Sequence, residues 1–235
     1  MKAARIHAYG ASTEIKIEDA PLPTLNPDDV LIRVVATSVN PVDWKIRKGY
    51  LKAMIPYAMP LTMGWDVSGI VEQIGSAVTM FKPGDAVYSR PDIARNGAYA
   101  EFVAVRESEI AFKPATISHV EAASLPLVSI TAWEALFTTA GLSKGQRVLI
   151  HAGAGGVGSI AVQLARAKGA HVTATASAGK VALVKSLGAD AVIDYHSQDF
   201  SSVAKDMDVV FDTIGGAVQE KSWGVLKPGG MLVSI

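Results

Sequence analysis

Hydrophobic positions along the chain change their spacing near residue 118. Before that point, short runs rich in Val, Ile and Ala are separated by Pro and Gly, at 2–7, 30–38, 67–74, 86–89 and 98–105. Runs of this length bounded by turn residues predict strands. The segment 75–85 reads as a loop whose Pro83-Gly84-Asp85 turn leads into the strand at Ala86. Residues 1–118 therefore read as an antiparallel, barrel-like domain with little helix.

From residue 119 the period lengthens. Helices are predicted over 119–125 and 129–140, interrupted near Pro126, and buried strands over 147–152, 171–176, 191–194, 207–213 and 231–235. Val157, Ile160, Ala161, Leu164 and Ala165 follow the i, i+3, i+4, i+7, i+8 stripe of a helix packed on a sheet. Val181, Val184 and Leu187 repeat the theme, and Gly188 is placed as a left-handed stop. Strands alternating with helices predict a doubly wound parallel sheet over 119–235, so the fold class is α/β.

Composition narrows the function. Lys plus Arg equals Asp plus Glu at 22 each, which removes the basic footprint of a nucleic-acid binder. The long uncharged stretches between Glu121 and Glu134 and between Arg147 and Arg166 are broken by proline and by glycines, so neither predicts a membrane span. The first residues carry no secretory signal pattern, and a cytoplasmic location is expected. There is no cysteine, which excludes disulfides, thiol catalysis and thiolate-ligated zinc.

The strongest chemical signal is Gly153-Ala154-Gly155-Gly156-Val157-Gly158. It fits G-x-G-x-x-G, follows a buried strand and opens an amphipathic helix, the context in which the pattern means dinucleotide binding. The three glycines serve a tight turn, room for the pyrophosphate and close helix–strand packing. The helix N-terminus offers unpaired N–H groups to phosphate. An NAD site carries Asp or Glu at the end of the second strand for the ribose 2′-hydroxyl. Here that strand runs into Ser177 without an acid, and Lys180 follows, which favours NADPH. Ser177 is equally an ordinary N-cap and Lys180 an ordinary surface residue.

Residues 145–158 with Gln163 and Arg166 resemble the signature of the quinone oxidoreductase/ζ-crystallin family of medium-chain dehydrogenases/reductases. The resemblance runs through 123–127, 131–133, 187–190, 212–216 and 226–230 and spans all 235 residues. It implies an N-terminal GroES-like catalytic domain, a Rossmann domain and an active site between them. It also implies NADPH contacts at Thr131, Ala154, Gly155, Gly156, Val157, Ser177, Lys180, Tyr195 and Ile214, with Tyr195 beside the 2′-phosphate; a half-buried strand-end tyrosine is the alternative there. Zinc-dependent relatives have Gly-His-Glu where this chain has Gly64-Trp65-Asp66, and the five histidines lack ligand spacing. No metal is expected.

Asn40-Pro41-Val42-Asp43-Trp44-Lys45 resembles the corresponding stretch of the enone and alkenal reductases. Asn40 as N-cap, Pro41 at the first helical position and Gly49 as stop would make a short helix even without chemistry. The family places this helix beside the nicotinamide. The implied reaction is hydride transfer from NADPH to a quinone or to the β-carbon of an α,β-unsaturated carbonyl. Lys45 and Asn40 are then the candidates to stabilise the developing oxyanion. Asp43 either orients its neighbours or is a surface residue of the first turn. Trp44, Met54, Ile55 and Trp65 are candidate walls of an apolar pocket, and Tyr50 and Tyr57 line its mouth or donate a proton. The alternatives are a non-catalytic, crystallin-like NADPH-binding protein and an enoyl-thioester reductase. The family pattern continues past Ile235, so a nucleotide sheet truncated at five strands of six is expected, with a homodimer where the sheet is complete.

Overall fold

The first-half runs become strands of two antiparallel sheets in the computed structural model, which describes all 235 residues. The chain divides into two units, Met1–Leu127 and Val128–Ile235. In the first, β1 (Lys2–Ile6), β2 (Lys16–Asp19) and β4 (Leu61–Thr62) form one sheet in the order β2-β1-β4. The larger sheet contains β3 (Asp29–Ala36), β5 (Val67–Ile74), β6 (Ala86–Ser89), β7 (Phe102–Arg106) and β8 (Ile110–Phe112), in the order β7-β3-β5-β6-β8. Val30, Ile32, Val67, Val71, Val87, Val103 and Val105 fill its core, the β-branched residues that suit a half-buried pleated surface.

The expected single barrel is thus two sheets. Residues 98–100 account for part of the difference: the N–H groups of Ala98 and Tyr99 bond to the carbonyls of Gly64 and Met63, and the Tyr99 carbonyl accepts from Ala4. The strand expected from 98 begins at Phe102 for that reason. The small sheet was less legible because β2, Lys-Ile-Glu-Asp, is polar and β4 has only two residues.

Two helices complete this unit: α1 (Pro41–Arg47) and α2 (His119–Ala123). Ser118 caps α2, its hydroxyl accepting from Glu121 N–H while the Glu121 carboxylate accepts from Ser118 N–H. His119 Nδ1 is hydrogen-bonded to Ser68 Oγ of β5 at 2.7 Å. The contact division accordingly falls after Leu127, beyond the change of sequence texture at 118.

The second unit is a five-stranded parallel sheet of β9 (Arg147–Ile150), β10 (His171–Ala176), β11 (Ala191–Asp194), β12 (Met207–Asp212) and β13 (Leu226–Ser234), in the order β11-β10-β9-β12-β13. Order 3-2-1-4-5 is that of the doubly wound nucleotide-binding fold, with its switch point beside the first strand. The expected helix over 129–140 starts earlier. As α3 (Pro126–Trp133) it uses Pro126 as an opening residue, not as a break, and it continues as a π-helical stretch over Glu134–Thr139. On α4 (Gly156–Lys168), Ala161, Val162 and Ala165 are fully buried in the core with Val148, Ile150, Val172 and Phe211. Gly188, at φ +111°, follows α5 (Val181–Ser186) as the sequence requires. The short helices α6 (Phe200–Val203) and α7 (Gly216–Ser222) follow β11 and β12. Strand β13 begins five residues before the expected 231, because Leu226 already pairs with Met207 before a register shift. No helix is long and apolar enough to cross a membrane.

Candidate functional site

The glycine segment connects the end of β9 to α4. Its left-handed residue is Ala152, at φ +50°, and not one of the glycines. Gly155, the N-cap of α4, has φ −77°, and its N–H bonds back to the Ala152 carbonyl at 2.8 Å. The sequence reading assigned the tight turn to the first glycine. In the structure Gly153 is instead required by packing, since a Cβ there would press on Ala174 Cβ and Val184 Cγ1. A Cβ on Gly158 would overlap the Ala152 carbonyl oxygen and carbon, so helix and turn approach at backbone distance. First-turn N–H groups of an α-helix have no helical acceptor; the Gly155 N–H is taken by Ala152, which leaves those of Gly156 and Val157 at the opening of α4. The turn therefore fits a pyrophosphate on structural grounds.

Beside it lies a cavity of about 670 Å³ lined by His151, Ala152, Thr175, Tyr195, Phe200 and Ile214, among others. It brings Tyr195 and Ile214 together with the start of the turn. Both are more than half exposed, at 54% and 57%. Asp212, fully buried, accepts hydrogen bonds from the N–H groups of Ile214 and Gly215 and so fixes the loop that carries Ile214. Ser177 and Lys180 lie just past β10, Ser177 half-buried and Lys180 exposed. Ser177 makes no side-chain capping bond, which leaves its hydroxyl available. Tyr195 N–H bonds to the Ala176 carbonyl at 3.2 Å, placing these three residues at neighbouring strand ends. Thr131 is half-buried on α3.

In the first unit, α1 is held by a buried polar network. Asp43 returns its carboxylate to the Asn40 N–H at 2.6 Å and accepts from the Tyr99 hydroxyl at 2.8 Å. Asn40 Nδ2 donates to Asp66 Oδ2 at 2.8 Å and to Ser38 Oγ at 3.1 Å. Asp66 also accepts from Ser38 Oγ at 2.6 Å and from Leu127 N–H at 2.8 Å. Burial pushes the Asp66 carboxyl up to about 6 against the pull of Ser38, Asn40 and Leu127, with nearby Asp43 pushing the same way. Burial likewise raises Asp43, opposed by Asn40 N–H and Tyr99. Tyr99 is held well above its ordinary range by burial first and by Asp43 second.

This geometry corrects two expectations. Asn40 is 6% exposed with both amide hydrogens committed inside the protein, so it anchors α1 and has no hydrogen to offer a substrate oxygen. Trp65 is not a pocket wall. It is fully buried among Ile6, Ile46, Leu61 and Met63, and its indole N–H donates to the Arg95 carbonyl at 3.1 Å. Asp43 is buried and orients its neighbours, so it is not a surface residue. Lys45 is exposed on α1 and makes no ion pair. Trp44, which stacks edge-on with Tyr50 at 5.6 Å, and Met54 are exposed, and Ile55 is half-buried. Tyr57 is half-buried with its hydroxyl unpartnered, and burial pushes it up to about 12. Asp66, Tyr99 and His151 are the polar residues that sequence reasoning gave no role. Their side-chain hydrogen-bond partners lie 24 to 71 positions away in sequence.

Residues 26–115 match the profile of the alcohol dehydrogenase GroES-like domain and residues 156–235 that of the zinc-binding dehydrogenases. The quinone oxidoreductase structure from Coxiella burnetii superposes with a TM-score of 0.92 at 39% identity, over 100% of this chain and 75% of that one. The chain belongs to the quinone oxidoreductase family of medium-chain dehydrogenases/reductases. It is 42% identical to a 2-methylene-furan-3-one reductase of Solanum lycopersicum, over 99% of this chain and 61% of the relative. It is also 42% identical to the NADPH-dependent alkenal/one oxidoreductase of Arabidopsis thaliana chloroplasts, over 100% of this chain and 62% of the relative. The chain thus spans about three fifths of the length of these curated relatives. Although one profile is named for zinc binding, this family member has no cysteine, and no group of three or more His, Asp or Glu side chains is arranged to hold a metal ion.

Proposed function

We propose that this chain carries the cofactor and substrate machinery of an NADPH-dependent oxidoreductase that reduces a quinone or the β-carbon of an α,β-unsaturated carbonyl. The observation that carries the reading is the turn at 152–158, where backbone meets backbone at Gly158 and a helix N-terminus opens at the switch point of a 3-2-1-4-5 sheet. The absence of an acid after β10, with Ser177 and Lys180 in its place, supports NADPH over NADH. NADPH would supply the hydride. Gly156 and Val157 would bind its pyrophosphate through their N–H groups with Gly155 leaving room for it, Ser177, Lys180 and Tyr195 would bind its 2′-phosphate, and Ala154, Thr131 and Ile214 would flank it.

On the substrate side, Lys45 is the free cation of α1. Hydride addition leaves negative charge on the carbonyl oxygen, and an ammonium aimed there stabilises it. Asn40, Asp43, Asp66 and Tyr99 are positioning residues that keep α1 from shifting. The test is NADPH oxidation, followed at its absorbance band, with a panel of quinones and short enones and a parallel NADH series. Turnover with at least one acceptor and a preference for NADPH is the expected result. Cofactor binding without turnover for every acceptor would return the chain to the class of binding proteins, and absence of binding would remove the reading altogether.

A further inference from the structure

The buried imidazole of His151 lies directly before the phosphate turn, and the function above does not use it. The ring is 1% exposed and meets Phe200 edge-on at 4.6 Å. Its Nε2 lies 2.9 Å from Ser222 Oγ and its Nδ1 lies 3.3 Å from Thr175 Oγ1. The directions of these bonds follow from their neighbours. Ser222 gives its only hydroxyl proton to the Val218 carbonyl at 2.7 Å, so Nε2 must carry the proton and donate to Ser222. Nδ1 is then the acceptor, and Thr175 donates to it. With its proton turned toward His151, the Thr175 oxygen presents a lone pair to Ala152 N–H, which it accepts at 3.1 Å. Ala152 is the left-handed residue on which the turn is built, and its carbonyl is the group against which Gly158 packs.

We propose that His151, as the neutral Nε2–H tautomer, is a positioning residue for dinucleotide binding, acting through Thr175 to hold Ala152 in the conformation that the phosphate turn requires. The inference rests on the dinucleotide reading of the turn. A lone-pair acceptor at the Nδ1 position is what matters, and filling the space is not sufficient. Burial holds the imidazole down at about 4, with the Asp212 carboxylate pulling the other way, which keeps the ring neutral at physiological pH.

The variants are His151→Phe, which fills the volume without an acceptor, and His151→Asn, whose Oδ1 reproduces the Nδ1 position. Thr175→Val, isosteric but without a hydroxyl, removes the intermediate link. Titrating the full chain with NADPH by fluorescence should give a Kd about tenfold weaker for His151→Phe and Thr175→Val. His151→Asn should return most of that loss. Equal affinity of His151→Phe and wild type would overturn the proposal, as would His151→Asn binding no better than His151→Phe. Should the Phe variant not fold, ¹⁵N spectra of wild-type His151 decide, because a protonated Nδ1 is incompatible with the relay. Should wild type bind neither NADPH nor NADH, the dinucleotide reading fails by itself. Exchange protection of the Ala152 amide, lost in Thr175→Val or not, then still supports or refutes the relay.

Discussion

Two buried groups, one in each unit, respond to pH with opposite signs, and Asp66 gives the sharper prediction. Its folded-state pKa is about 6 against an ordinary 3.8, because burial outweighs three hydrogen bonds to the carboxylate. A group raised on folding contributes stability that is fully present below 3.8 and lost as pH rises through 6. The separation, about two units, corresponds to about 3 kcal/mol between the two ends of the window. His151 behaves in the reverse way. Its pKa falls from 6.5 to about 4, so a similar stabilisation of about 3 kcal/mol is present above 6.5 and lost as pH falls toward 4.

Global unfolding would nearly cancel the two terms, so the assay must resolve the units. Native-state hydrogen exchange with mass spectrometry, from pH 4.5 to 7.5 and corrected for intrinsic rates, separates peptides of Met1–Leu127 from those of Val128–Ile235. Asp66→Asn is the perturbation. It leaves a donor facing Asn40 or Leu127 whichever way the amide is turned, so the variant is less stable throughout. The quantity of interest is the change in slope. His119 in the same unit is lowered by burial and slopes against Asp66, whereas Asp43 is raised by burial and slopes with it, so the comparison is made on the difference between wild type and variant. That difference should narrow by about 2 kcal/mol between pH 4.5 and 7.5 in the first unit, since part of the titration lies below pH 4.5, with no change in the second. The carboxylates held low by partners, such as Asp29 beside Arg95, titrate below this window. Parallel pH profiles for wild type and Asp66→Asn would refute the reasoning.

Gly158→Ala places a methyl group against the backbone of Ala152, and should cost about 3 kcal/mol in the second unit and reduce NADPH binding beyond detection by calorimetry. Lys45→Ala should lower kcat about 10²-fold with the best acceptor while the Kd for NADPH is unchanged; an unaltered kcat removes Lys45 from the chemistry but leaves the fold and cofactor assignment standing. Lys180→Ala should weaken NADPH about tenfold and leave NADH unaffected, read as the ratio of Kd values; equal loss for both cofactors would move Lys180 away from the 2′-phosphate.

The second unit was more legible than the first because its signals are local. A glycine pattern, a helical stripe from Val157 to Ala165 and a stop at Gly188 each lie within one turn or one helix, and β10 and β11 appear at their expected bounds. In the first unit β5 and β6, which appear at their expected bounds, were equally clear. The two-residue β4 and the polar β2 exist only because β1 pairs with them, and pairing partners leave no trace in local periodicity. The same distinction separates the site residues. Asn40 could be read as a cap from its neighbour Pro41, but whether its amide faces a substrate or Asp66 depends on a residue 26 positions away. His151 stands inside the most recognisable motif of the chain and still showed no role, because its two hydroxyl partners, Thr175 and Ser222, come from β10 and α7. Motifs mark the backbone that meets a ligand, whereas the groups that hold such backbone in place are chosen by tertiary contact. Residues of the second kind are therefore to be sought among buried polar side chains with every hydrogen bond assigned, as the directionality of the His151 chain illustrates.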